Sequence, residues 1–372
     1  MDAPLFIGSE IYRGSSYGPH HPLRVPRVPT VTDLARSLGW LAPGQFRQSP
    51  RARPAALTAF HTPGYVAALE RAEQTQAVDA ATRARHGLGT LSNPVFPEMF
   101  RRPATAAGGS LLAAELVAGG GAVYNPGGGT HHGMADRAAG FCYLNDPVLA
   151  LSRLRALGLT RLAYVDIDAH HADGVEAAFA GVEGMVLVST HEEGRWPFTG
   201  ALEDRAGGVA VNLPLPRGAH DGDFARALDE VILPAVARHR PEAIVLQCGA
   251  DAVAEDPLSR LAWSNRSHVR AVRALRPLAP RMIVLGGGGY NPWSVGRAWA
   301  SVWAALAGHE IPDRLPEAAE AVLRGLSWSH RLGRNPPEHW FTTLLDAPRE
   351  AAPTPGVAER VAALRARLRA AH

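Results

Sequence analysis

Four stretches of this chain are nearly continuous in apolar residues and then turn abruptly to glycine and charged residues. They are "RLAYVDID" (161–168), "GMVLVST" (184–190), "EAIVLQCGAD" (242–251) and "RMIVLGGGGY" (281–290). Short runs rich in Val, Ile and Leu predict strands buried on both faces. Helical spacing appears in "DPVLALSRLRALG" (146–158), "DFARALDEVILPAVARH" (223–239) and "SNRSHVRAVRALRPLA" (264–279). The mixture predicts an α/β fold, one domain with a central, mostly parallel sheet and helices on both faces. In such sheets ligands bind beyond the carboxyl ends of the strands. Each apolar run turns polar at that end.

The first hundred residues, with "YGPHHPLRVPRVP" (17–29), are richer in proline and predict helices and long loops packed onto the sheet. No repeat or linker divides the chain. Beyond about residue 310 it becomes Pro-rich and ends in "GVAERVAALRARLRAAH" (356–372), a helix with Val361, Leu364 and Leu368 on one stripe. That stripe suits packing or assembly, and a solvated tail is the competing expectation.

Composition narrows the function. At 372 residues, 46% hydrophobic and 20% charged, the chain can build a large core. It holds no lysine, so all basic side chains are Arg. Much of the basic charge sits in the last helix, where Glu359 faces Arg360, Arg365, Arg367 and Arg369; without them the +3 formal charge is close to zero. That argues against a nucleic-acid-binding body. Cys142 and Cys248 lie far apart in apolar sequence, as free thiols in a reducing compartment do. No signal pattern or membrane-spanning run is present, and a cytoplasmic protein is expected.

The chemistry concentrates in "YVDIDAHHADG" (164–174). Read as a strand to residue 170, it projects Asp166, Asp168 and His170 from one face. Asp168 and His170 can then reach one cation, with Asp251 at the end of "IVLQCGAD" as third ligand. Two Asp and one His suit Zn²⁺, with Fe²⁺ the other candidate. A metal-free Asp–His network, with Asp251 as a helix cap, is the plainer alternative. A second cluster, "PGGGTHHGMADRAAGFCYLND" (126–146), places His131 and His132 on a glycine loop. Oriented by carboxylates, for which Asp166 and Asp173 are available, one imidazole can act as general base while the other polarises the reacting groups. "GGGGY" (286–290) lacks the Lys of a phosphate loop and reads instead as a close-approach loop presenting Tyr290 to an oxyanion.

Together these residues resemble the metal-dependent histone deacetylase family, with its arginase–deacetylase fold, nearest to bacterial acetoin-utilisation-type and class I-like members. The matching pieces are "HPLRVPR", "NPVFPEMF", "GGGTHHGM", "GFCYLND", "VDIDAHHADGVEAAF", "STH", "CGADAVAEDPL" and "GGGGYN", in order over residues 20–292. The absence of an Asp-x-Asp pair at the second ligand position argues against an arginase-like binuclear site. The resemblance implies a deacetylase catalytic domain over 1–310, with 311–372 an extension packed on it. It implies metal binding by Asp168, His170 and Asp251, and His132 as general base supported by Asp173. His131, backed by Asp166, would assist electrostatically, and Tyr290 would polarise the acyl carbonyl. Gly140, Phe141 and Trp196 would line a tube for an extended acyl-lysine-like chain, with Leu258 at its mouth. Arg27 would border an internal pocket for the released acid. Backbone carbonyls of Asp166, Asp168 and His170, with Ser189 and Thr190, would form a structural K⁺ site.

Two rim positions depart from the family. Ser92 stands where relatives commonly carry an Asp that clamps the substrate backbone, and Phe198 stands where Gly is common. Glu98 and two arginines also mark the loop "NPVFPEMFRRP". The expected activity is removal of an acetyl or other acyl group from Nε-acyl-lysine or a similar extended amide. Ser92 motivates an alternative, a small-molecule amidohydrolase such as an acetylpolyamine deacetylase.

Overall fold

The computed structural model describes residues 3–370. Its strands are β1 (Leu5–Gly8), β2 (Phe46–Gln48), β3 (Gly121–Asn125), β4 (Leu162–Asp166), β5 (Met185–Glu192), β6 (Ala210–Leu215), β7 (Ala243–Gln247) and β8 (Arg281–Leu285). They form one sheet in the order β2-β1-β3-β8-β7-β4-β5-β6, and every neighbouring pair is parallel.

The apolar runs are continuous because both faces are covered. In β4, Leu162 and Tyr164 enter one core layer while Ala163 and Val165 enter the other; in β7, Val245 opposes Ile244 and Leu246 in the same way. Helices Arg101–Leu116 and Asp146–Ala156 cover the first face. Helices Arg266–Leu275 and Pro292–Ala307 and the segment 221–239 cover the second. The last of these is interrupted by a π-helical turn at Leu228–Ile232.

Several expectations change. The strand expected at 161–168 ends at Asp166, so Asp168 and His170 do not project from it by alternation. Asp166 Oδ1 accepts the Asp168 amide at 2.9 Å and Asp168 Oδ1 accepts the His170 amide at 2.9 Å. Carboxylates that capture amides two residues on turn the chain out of the ladder. The run at 242–251 likewise ends its strand at Gln247, and Asp251 follows on the 3₁₀ turn Ala250–Ala252. The proline-rich N-terminal region contributes β1 and β2 as well as helices. β6 carries Pro214 and escaped notice because proline is tolerated only at a sheet edge, which is where β6 lies.

The C-terminal helix, Val357–Ala370, is docked against β6 and the segment 221–239, with Val361 and Leu364 buried and Leu368 packed beside them. Of the two expectations for the tail, packing is the one seen.

The carboxyl ends of five adjacent strands, β3, β8, β7, β4 and β5, form one edge. The loops that leave them carry His131 and His132, Tyr290, Asp251, Asp168 and His170, and Trp196.

Candidate active site

Asp168, His170 and Asp251 each offer a ligand atom, all within 4.8 Å of one another. His170 Nδ1 lies 2.9 Å from Asp251 Oδ2 and 3.1 Å from Asp168 Oδ1. Both carboxylates are fully buried. Burial opposes ionisation of Asp168, but the charge of His131 and hydrogen bonds from His170 and the Gly288 amide hold its carboxyl well below the usual range. Burial and the Asp168 charge push Asp251 upward. Burial would lower His170; its two carboxylate partners instead raise it to about 10.

This cluster fits a divalent cation. Two buried carboxylates facing one imidazole are short of positive charge, and their oxygen and nitrogen atoms converge on one point. The backbone also makes room. A Cβ on Gly288 would fall 2.0 Å from Asp251 Oδ2, and one on Gly249 would fall 2.0 Å from Asp168 Oδ2. The glycine run before Tyr290 is therefore required for close approach.

The two adjacent histidines are driven apart electrostatically. His131 Nδ1 lies 2.8 Å from Asp166 Oδ2, and His132 Nδ1 lies 2.6 Å from Asp173 Oδ1. Burial would lower His131, but Asp166 and Asp168 together raise it to about 9. Burial and the charge of His131 lower His132 to about 4 against the pull of Asp173. A neutral His132 must carry its hydrogen on Nδ1 to meet Asp173, which leaves Nε2 as a proton acceptor. Their surroundings thus push the two neighbouring imidazoles in opposite directions.

Tyr290 is buried, and burial raises its phenol well above the usual value, so it stays a hydrogen-bond donor. With His132, Gly140, Phe141, Trp196 and Leu258 it lines a tunnel of about 440 Å³, at whose outer end lie Ser92, Arg195 and Phe198. The walls are close: a Cβ on Gly140 would sit 2.3 Å from the Trp196 ring and 2.7 Å from His132. Behind Tyr290 is a smaller cavity of about 50 Å³ bordered by Arg27, as expected, and by Arg102, Tyr12 and Tyr17. Arg27 donates to the Gly287 carbonyl at 2.5 Å, and Arg102 donates to Ser15 O at 2.6 Å while facing both tyrosine rings.

For the K⁺ expectation, Ser189 pairs with Asp166 in the β4–β5 register and Thr190 Oγ1 is 3.5 Å from Asp166 O. Ser189 Oγ is also engaged, 2.9 Å from His191 Nδ1. His171 points away from the cluster, to Thr199 Oγ1 at 2.8 Å and Glu176 Oε2 at 3.0 Å.

Sequence reasoning missed the groups that hold these loops. Asp146 accepts the amides of Gly129 and Thr130 and the Ser110 hydroxyl. Asn145 Nδ2 donates to the carbonyls of His131 and Gly133, and its own amide donates to His61 Nε2 at 2.9 Å. Asp256 accepts the amides of Tyr290 at 2.6 Å and Leu258 at 2.9 Å. Arg102, too, read only as part of a loop. Asn-Asp before a helix and Asp-Pro after Glu255 read as capping and turn residues, which conceals the second task of each.

A narrow tunnel that ends on a neutral imidazole, a phenol and a cluster fit for a cation belongs to a hydrolase of linear amides. The family model for the histone deacetylase domain matches residues 21–306, and the chain belongs to the histone deacetylase family. It is 33% identical over 330 residues to acetoin utilization protein AcuC of Bacillus subtilis, covering 84% of this chain and 85% of that protein. It is 35% identical over 314 residues to histone deacetylase 9 of Arabidopsis thaliana, covering 82% of this chain and 73% of the relative. Among solved structures, an HDAC homolog complexed with SAHA superposes with a TM-score of 0.93 at 32% identity, covering 98% of this chain and 100% of the other. The fold is thus the arginase–deacetylase fold, and no helix among the described residues is long and apolar enough to cross a membrane.

Proposed function

We propose that the protein is a metal-dependent deacylase that removes an acetyl or similar acyl group from Nε-acyl-lysine or a comparable extended amide. The observation that carries this is geometric: His131 and His132 are each held through Nδ1 by their own carboxylate, His132 lines the tunnel, and both adjoin the converging Asp168, His170 and Asp251. Asp168, His170 and Asp251 would hold the cation, Zn²⁺ or Fe²⁺. When bound, it supplies Lewis-acid polarisation of the acyl carbonyl and a water of lowered pKa.

The protein's own groups do the rest. His132 Nε2 takes the proton from the attacking water and returns it to the leaving amine, while Asp173 fixes the tautomer through Nδ1. His131, kept protonated by Asp166, sets a positive charge beside the developing oxyanion. Tyr290 donates its hydroxyl hydrogen to that oxyanion. Phe141, Trp196 and Gly140 keep the substrate chain extended and exclude water. Arg27 and Arg102 give the released carboxylate a cationic cavity. Ser189 and Thr190 with the carbonyls of Asp166, Asp168 and His170 would hold K⁺ as a structural ion.

The competing polyamine substrate is disfavoured because, among the described residues, no Asp or Glu lines the tunnel mouth. The two buried free cysteines support work in the reducing cytoplasm. The test is turnover of fluorogenic acyl-lysine peptides by purified protein with and without chelator. We expect turnover that the chelator abolishes and added Zn²⁺ restores. No metal-dependent turnover on any acyl chain would sink the reading.

A further inference from the structure

The geometry points to a rigid, apolar, acid-free collar around the tunnel mouth that selects acylated amines flanked by leucine- or phenylalanine-like groups. This deepens, and rests on, the deacylase reading above. The large apolar side chains left exposed among the described residues are Leu91, Leu157, Trp196, Phe198 and Leu332. Trp196 and Phe198 line the mouth, and Leu91 adjoins Ser92, which lines it from another loop. Leu91 is 96% and Phe198 74% exposed, in a protein that otherwise buries its large apolar groups. Apolar surface gathered at one opening marks a place where something apolar is received.

The collar is also held in place. Phe198 adopts a left-handed backbone at φ 64°, which L side chains rarely adopt. Its amide donates to Arg195 O at 2.8 Å. The next two residues are fastened by one histidine in the loop after β4 and one on β5: His171 Nδ1 lies 2.8 Å from Thr199 Oγ1, and His191 Nε2 lies 2.8 Å from Gly200 O. His171 thereby has a task, anchoring the loop that presents Trp196 and Phe198.

Charge selects by its absence. Arg195 lines the mouth, but its Nε and Nη2 are spent on Glu192 at 2.5 and 2.8 Å. Asp256 is turned inward onto backbone amides. A polycationic substrate finds no carboxylate among the lining residues, and an acidic flank finds only Arg195, already paired with Glu192. An apolar flank gains by leaving water against Phe198 and Trp196.

The experiment compares kcat/KM for three substrates: an acetyl-lysine peptide with leucine on both sides, the same peptide with aspartate on both sides, and N-acetylspermidine. We expect the leucine peptide to exceed both others by about tenfold or more. Phe198→Gly, which relaxes the left-handed backbone and so should fold, and Leu91→Ser are each expected to shrink the leucine-to-aspartate ratio several-fold. A wild-type ratio near one, a ratio unchanged in both variants, or preference for N-acetylspermidine overturns the collar. Turnover without preference overturns only this inference. Turnover of none of the three overturns the deacylase reading and the collar with it.

Discussion

His132 Nδ1 sits 2.6 Å from Asp173 Oδ1, and that one contact decides which nitrogen of the imidazole is free to move a proton. Asp173→Asn offers an amide in place of a pure acceptor and releases the tautomer. We expect kcat/KM to fall by about 10²- to 10⁴-fold with the fold intact by circular dichroism. Because His132 must be neutral to accept a proton, its own limb of the profile is a loss of activity as pH falls toward about 4. A kcat/KM profile from pH 4 to 8 checks the sign.

In the proposed mechanism Tyr290 acts only when negative charge develops on the acyl oxygen. Tyr290→Phe is expected to lower kcat by about 10²- to 10³-fold with little change in KM. Steady-state kinetics separate the two constants; an equal loss confined to KM would make Tyr290 a binding residue instead.

Asp256 holds the amides of Tyr290 and Leu258 at once, so it couples the reacting phenol to the mouth. Asp256→Ala leaves two buried donors unpaired at a cost of about 1–3 kcal/mol each. We expect a lower Tm together with a reduced kcat. Asp256→Asn, which keeps one acceptor oxygen, should recover part of both.

Stability should fall on mild acidification. His61 is buried with both nitrogens engaged: Nδ1–H donates to Met134 O, and Nε2 accepts the Asn145 amide. Burial lowers it from 6.5 to about 4, and burial with the charge of His171 lowers His191 from 6.5 to about 3. Between pH 6.5 and about 4 the unfolded chain binds protons that the folded one refuses, so stability rises with pH there. Each such histidine contributes a slope of about 1.4 kcal/mol per pH unit. Urea melts at pH 7 and pH 4.5 measure it. His61→Ala should flatten the slope and, by freeing the Asn145 loop, loosen His131 and His132.

The sequence revealed more of the chemistry than of the scaffold. Four central strands and the polar cluster at their carboxyl ends were legible because burial on both faces makes the run apolar and the cluster ends it in Asp, His and Gly. β1 and β2 are too short to carry a pattern, and β6 contains the Pro214 that only an edge position permits. Asp168 and His170 were placed on a strand that stops at Asp166; both lie instead on the turn beyond it, where they still converge with Asp251. Asn145, Asp146, His61 and Asp256 were invisible because their tasks are long-range hydrogen bonds to backbone. Local spacing says nothing about backbone groups 12 to 84 positions away. The docking of the last helix was undecidable for the same reason, since its partners, β6 and the segment 221–239, are distant in sequence.

In the proposed mechanism turnover depends on a cation held by Asp168, His170 and Asp251. The direct measurement is a Zn²⁺ titration of chelator-stripped protein in which bound metal and acetyl-lysine peptide turnover are read in the same samples. The tight, turnover-restoring site is expected to saturate at about one metal per chain, and Asp251→Ala to lose metal and turnover together. Turnover already maximal before metal is added, or tight binding undiminished in Asp251→Ala, would contradict this mechanism.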